Sequence, residues 1–110
     1  MNYIKVAQVS ELTEGRKQKV TLGDRVILLS NIKNSFYAVD NTCPHMGGSL
    51  YDGQLEGSNI TCPRHGSVFD VTTGKAVQSG KLLFIKVKIH DLQTYPVKLE
   101  GNDVLIGIED

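Results

Sequence analysis

Cys43-Pro44-His45-Met46-Gly47-Gly48 and Cys62-Pro63-Arg64-His65-Gly66-Ser67 are the two stretches that decide how this chain is read. Each places a thiol and an imidazole within a few residues of one another, on a loop broken by proline and glycine. Sixteen residues separate His45 from Cys62. Together the stretches hold both cysteines and two of the three histidines of a 110-residue protein. Metal-capable side chains gathered in this way point to a metal centre. Thiolates suit zinc or iron–sulfur clusters, and imidazole suits zinc, copper or iron, so the donor set alone leaves the metal open.

The order of the donors narrows the choice. Zinc sites with two cysteines and two histidines usually read Cys–Cys first and His–His later, whereas here each loop supplies one of each. A [2Fe-2S] cluster accommodates that order if both thiolates bind one iron and both imidazoles the other. Neutral imidazoles in place of anionic thiolates make such a cluster easier to reduce, at about −150 to +300 mV against about −400 mV for the all-cysteine plant type. Two alternatives stand beside it. One is a Cys43–Cys62 disulfide, which the reducing cytoplasm expected for a chain starting at Met1 without a leader disfavours. The other is a zinc-stabilised interaction domain with no redox role.

Working outward, the length suits a single domain, 1–110, with one core. Apolar residues make up 40 % and charged residues 22 %, and the formal charge is zero. That balance gives no basic surface for nucleic acid and no charged tail. Apolar runs such as Val26–Leu29 and Leu82–Ile85 are too short to span a bilayer, so no membrane partner is expected. Stretches rich in β-branched or aromatic residues predict strands at Tyr3–Val6, Lys19–Leu22, Arg25–Ser30, Phe36–Val39, Asn59–Thr61, Val68–Val71, Lys75–Val77, Leu82–His90, Val97–Glu100 and Val104–Ile108. Gly23-Asp24, Lys33-Asn34-Ser35, Thr73-Gly74 and Gly101-Asn102 supply reversals. Gly53 and Gly57 read as plain turns, and Ser10 as the cap of a single helical turn at Ser10-Glu11-Leu12. The fold class is all-β, an antiparallel sandwich or barrel.

Cys43-Pro44-His45-Met46-Gly47-Gly48-Ser49-Leu50 and Cys62-Pro63-Arg64-His65-Gly66-Ser67-Val68-Phe69-Asp70 resemble the paired cluster-binding loops of Rieske proteins. Thr94-Tyr95-Pro96-Val97-Lys98-Leu99-Glu100-Gly101 is similar to the closing segment of small bacterial, oxygenase-associated Rieske ferredoxins. The resemblance implies one [2Fe-2S] cluster per chain, with Cys43 and Cys62 on a buried iron and His45 and His65 on an outer iron near the surface. It implies a Rieske-like fold with a cluster-binding subdomain inserted at about residues 41–80. It implies an electron carrier rather than an enzyme, cytoplasmic, working between a reductase and a terminal oxygenase or other redox acceptor. A small electron-transfer subunit of a nitrite-reductase-type enzyme is the alternative within that resemblance. A self-contained oxygenase does not fit: its mononuclear iron typically needs two histidines and a carboxylate, and only His90 lies outside the motifs.

The residues around the ligands follow the same reading. Pro44 and Pro63 stiffen each loop behind its cysteine, and Gly47, Gly48 and Gly66 permit positive φ and close backbone approach. Backbone amides aimed at the sulfides stabilise the reduced state. By the resemblance, Gly48 and Arg64 stand where respiratory Rieske proteins have a disulfide, and Phe69 stands where they have a tyrosine that donates to a cysteine sulfur. Ser67 matches the serine that donates to a bridging sulfide. One of two potential-raising donors is present, so the expected potential is low to intermediate. Oxidation of the iron lowers the histidine pKa values, so electron gain is expected to couple to proton uptake at high pH. Phe69 also reads as a core aromatic. Met46 and Leu50, with His65, read as an exposed apolar rim for a redox partner. Ser79–Asp91 lacks the proline loop that covers the cluster in related proteins, and its alternation reads as a half-buried strand ending in a surface His90.

Overall fold

Among the residues of the chain, the computed structural model describes 1–44, 47–64, 66–78 and 90–109. Strand β3 (Arg25–Ile32) is the centre of the molecule. It pairs antiparallel with β2 (Lys17–Leu22) from Lys17↔Ser30 to Leu22↔Arg25, and with β4 (Ser35–Asp40) from Ile27↔Asp40 to Ile32↔Ser35. The β3–β4 reversal uses only Lys33 and Asn34, at φ 52° and 68°, because Ser35 is already paired. Two positive φ values match the right-handed twist of the flanking strands, and asparagine tolerates that region better than most residues. Asn31 braces the turn: its Oδ1 accepts from the Asn34 N–H at 2.8 Å, while its Nδ2 donates to the Leu12 carbonyl at 2.9 Å.

Successive side chains of a strand point to opposite faces, and both faces of this sheet are covered. Ile27 and Leu29 enter one core with Ala7, Val20, Ala38, Tyr95, Val104 and Ile106. Leu28 enters a second with Val39, Cys43, Leu50, Ile60, Cys62, Phe69 and Val71. The unbroken apolar run of β3 follows from this double burial. Each of these large side chains contributes about 1.5–3 kcal/mol when fully buried.

The first core is closed by a sheet of order β1-β11-β10, made of β1 (Asn2–Gln8), β11 (Asp103–Ile108) and β10 (Val97–Glu100). The second is closed by β5 (Gln54–Glu56), β6 (Asn59–Thr61), β7 (Val68–Asp70) and β8 (Ala76–Gln78), in chain order. A two-residue strand, β9 (Thr94–Tyr95), joins β4 in the central sheet, and Pro96 then carries the chain into β10 of the outer sheet. A residue without an N–H is well placed where the ladder changes sheets. All described pairings are antiparallel, so the all-β expectation holds. No helix among the described residues is long and apolar enough to cross a membrane.

Several local expectations are corrected. Val9–Glu11 forms a single 3₁₀ turn, but Ser10 lies inside it and does not cap it. The Gln8 N–H donates instead to Glu11 Oε1 at 3.0 Å, and the Ser10 N–H donates to Asn102 Oδ1 across the β10–β11 turn. Gly53 is more than a turn residue: a Cβ there would overlap the Thr61 carbonyl, whereas Gly57 has open space at φ 59°. The expected strand Leu82–His90 falls outside the described residues except for His90, which is exposed.

Tyr95 fastens β9 to the sheet. Its hydroxyl donates to Asp40 Oδ1 at 2.5 Å and accepts from the Arg25 guanidinium at 3.5 Å. Burial, and next the bond to Asp40, hold the phenol above its ordinary value of 10.0, with Arg25 opposing. The folded state thus favours the neutral phenol, a contribution complete below pH 10 and lost as pH rises through the raised value. Tyr95→Phe should cost about 1.5 kcal/mol near neutral pH, the low end for a bond to a charged group. Denaturant titrations of both proteins in the same cluster state should show that gap narrowing above about pH 10; a gap independent of pH would contradict this role.

Candidate metal centre

The two motif loops are built on one backbone frame. The Cys43 N–H donates to the Gly48 carbonyl at 2.8 Å, and the Gly47 N–H returns to the Cys43 carbonyl at 2.9 Å. In the second loop the Cys62 N–H donates to the Ser67 carbonyl at 2.7 Å, and the Gly66 N–H returns to the Cys62 carbonyl at 3.1 Å. Gly47 and Gly66 occupy equivalent positions at φ 72° and 78°, a region costly for residues with a Cβ. Both loops are therefore Cys-Pro-x-x-Gly turns. The histidine comes third in one and fourth in the other, so a shared frame underlies the unequal Cys-x-His and Cys-x-x-His spacings.

The frames meet at their cysteines. Cys43 and Cys62 are each 1 % exposed, lie in the same apolar core, and are not joined in a disulfide. Gly48 is seated against the opposite loop: a Cβ there would lie 3.0 Å from Cys62 Sγ and 3.1 Å from Arg64 Cγ. The two positions that the resemblance matches to a disulfide are thus neighbours here, occupied by a glycine and an arginine stem. A thiolate in such surroundings is costly without a compensating charge, and bound metal deprotonates a coordinating thiol outright. Two sulfurs buried in one core, on turns whose prolines are exposed, fit an iron of a mixed-ligand cluster.

A profile of the Rieske [2Fe-2S] domain matches residues 2–96. The chain belongs to the Rieske [2Fe-2S] domain family. It is 36 % identical over 108 residues to the ferredoxin component of the naphthalene 1,2-dioxygenase/salicylate 5-hydroxylase systems of Ralstonia sp., covering 98 % of this chain and 97 % of that one. The ferredoxin of Sphingomonas yanoikuyae B1 superposes with a TM-score of 0.83 at 28 % identity, over 98 % of this chain and all of that one. A structure described as a complex of reduced oxygenase and oxidized ferredoxin in carbazole 1,9a-dioxygenase matches with a TM-score of 0.82 at 28 % identity, over 94 % and 91 %. A Rieske domain carries one [2Fe-2S] cluster, so the zinc alternative falls away.

Within this Rieske domain the expected site residues separate into three groups. Cys43, Cys62, Gly47, Gly66 and Pro44 stand at the two turns, with Pro44 and Gly47 exposed. Ser67 and Phe69 are fully buried beneath them, Phe69 in the core with both cysteines. His45, Met46 and His65 lie outside the described residues. The apolar rim is corrected at Leu50, which is fully buried in that core and presents nothing to a partner.

Sequence reading passed over the supports. Asp70 Oδ1 accepts from the Thr72 N–H and hydroxyl at 2.9 and 2.7 Å, closing the turn after β7. Residues 90–93 are moored to that turn, with the Leu92 N–H on the Gly74 carbonyl at 2.7 Å and Asp91 Oδ1 accepting from the Ala76 N–H at 2.8 Å. Gly74, at φ 79° and with Leu92 O 2.6 Å from where a Cβ would sit, permits the approach. The only hint in the sequence was Asp70-Val71-Thr72-Thr73-Gly74, a run of turn residues.

Gly48→Ala tests the seating of the first loop on Cys62. The added methyl must push the sulfur or the loop, so the visible absorbance per chain should fall and bleach faster with a chelator than in the wild type. Gly57→Ala is the control: its positive φ costs about 1–2 kcal/mol of stability, but the cluster should be retained. Equal cluster retention in the two variants would contradict the contact.

Proposed function

We propose that this protein is a ferredoxin, a one-electron carrier that takes electrons from a reductase and delivers them to a terminal oxygenase. The observation that carries this is the convergence of two Cys-Pro-x-x-Gly turns on one buried pair of sulfurs. The matched relative is itself a ferredoxin component, and the alignment runs nearly the whole length of both chains. When bound, the [2Fe-2S] group supplies a reversible one-electron couple; it does not itself transform a substrate.

The residues divide the remaining work. Cys43 and Cys62 would hold the inner iron, where Leu28, Leu50, Ile60 and Phe69 of the same core exclude water. His45 and His65, the imidazoles of the same two motifs, would hold the outer iron. Pro44 and Pro63 remove conformational freedom next to each sulfur, and Gly47 and Gly66 let each turn close over its cysteine carbonyl. Ser67, buried at the foot of the second turn, has its hydroxyl assigned to a sulfide. The sheet β5–β8 and the two loops form a cluster-binding subdomain, about residues 41–80, within one domain spanning 1–110. Its place of work is the cytoplasm.

The potential follows from what flanks the sulfurs. Gly48 and Arg64 provide no disulfide between the loops, and Phe69 provides no hydroxyl to a cysteine, so the reduced state lacks one of two stabilising donors. The midpoint should fall below about +200 mV, short of the top of the range for such centres. The dithionite-reduced protein mixed with the terminal oxygenase of a naphthalene 1,2-dioxygenase system should be re-oxidised, and Cys62→Ala protein should carry no electrons. A midpoint above that limit would sink the tuning argument; a reduced protein that exchanges no electron with the oxygenase would sink the carrier assignment.

A further inference from the structure

The two cysteine turns share a frame but are closed in different ways. The second lies at the end of a regular hairpin: Thr61↔Val68 is followed by Ile60↔Phe69 and Asn59↔Asp70. Among the described residues the first has a single bridge, Thr42↔Ser49, because residues Leu50–Asp52 turn into a 3₁₀ helix and leave the ladder. Beyond that bridge the two segments are tied by Asn41, through its side chain and its backbone. Asn41 is 3 % exposed and both ends of its amide are engaged. Its Nδ2 donates to Ser49 Oγ at 2.9 Å and its Oδ1 accepts from the Tyr51 N–H at 2.8 Å. Its backbone is engaged as well, the N–H on the Val26 carbonyl at 2.9 Å and the carbonyl accepting from the Leu50 N–H at 2.8 Å.

We propose that Asn41 is the positioning residue of the metal centre, holding the mouth of the first turn at the width that sets Cys43 opposite Cys62. It rests on the reading of Cys43 as an iron ligand. An amide is suited to the task because one end donates while the other accepts, so Asn41 grips Ser49 and Tyr51 on the returning chain simultaneously. Through Val26 it refers both to the central sheet. A buried amide left half-satisfied bears the full desolvation of its unpaired end, which keeps the mouth in one geometry.

The test compares wild type, Asn41→Ala, Asn41→Asp and Ser49→Ala as cluster-loaded proteins. Three quantities are read: the EPR g-values after dithionite, the rate of bleaching by a chelator, and the denaturation midpoint. Asn41→Ala should shift the g-values and lose cluster about tenfold faster or more, the scale seen when partners of metal ligands are removed. Asn41→Asp should restore both, since a carboxylate accepts from the Tyr51 N–H and from a Ser49 hydroxyl turned to donate. Ser49→Ala removes one of the two grips and should move both readings in the same direction as Asn41→Ala; it carries the test if that variant does not accumulate. Variants with unchanged g-values and bleaching rate overturn the proposal, even if their stability falls. A wild type without a mixed-ligand signal would overturn the ligand reading, and the proposal with it.

Discussion

Two sulfur atoms buried in one apolar core are the constraint on which the rest of this structure depends. Ionised thiols cannot be left there uncompensated, and the chain does not join them covalently. The surrounding structure serves to bring them together and keep water from them. The sulfurs lie in the core between the central sheet and β5–β8, so on the proposed ligand set the fold's second core is also the inner wall of the metal centre. Packing and ligation are thereby one problem: Leu28, Ile60 and Phe69 stabilise the domain and exclude water from Cys43 and Cys62 together.

The central sheet makes this possible because it is used twice. Its residues facing the β1-β11-β10 sheet form a core that owes nothing to the metal, while those facing the other way carry the site. The cluster-bearing half therefore has a preformed floor to build on. Short strands of three residues, which would be marginal alone, suffice for β5–β8 because Leu28 and Val39 lie beneath them. The last strands close the arrangement. The Tyr95–Asp40 bond holds β9 on β4, and the Asp40 backbone N–H takes the Gln93 carbonyl at 2.9 Å, immediately before Asn41 opens the first turn.

Much of this was legible in the sequence, for identifiable reasons. Cys43, Cys62 and their following prolines announce a site by residue type alone, and Val68–Phe69 and Arg25–Ser30 announce strands by alternation or β-branched content. What was not legible depends on contacts between distant residues. Nothing local distinguishes Gly53, forced by the Thr61 carbonyl, from Gly57, which is merely a turn. Leu50 beside a histidine motif looks like a surface contact until the core behind it is seen. Ser10 has the right chemistry for a cap, but Asn102, far along the chain, fixes that turn instead. The common frame of the two loops was available in the repeated Cys-Pro-x-x-Gly pattern. The unequal histidine spacing hid it, because attention falls on the ligands rather than on the glycines that shape the backbone.

On the proposed ligand set, two loops of one frame give a cluster with sulfur on one iron and nitrogen on the other. Pulsed EPR of the anaerobic, dithionite-reduced protein tests it most directly, because nitrogen bound to the reduced iron couples to the unpaired spin. The expected result is a rhombic signal with strong nitrogen couplings from both imidazoles, those of each histidine disappearing when that residue is replaced. A reduced signal without strongly coupled nitrogen, or a colourless protein that holds zinc and gives no signal, would contradict it.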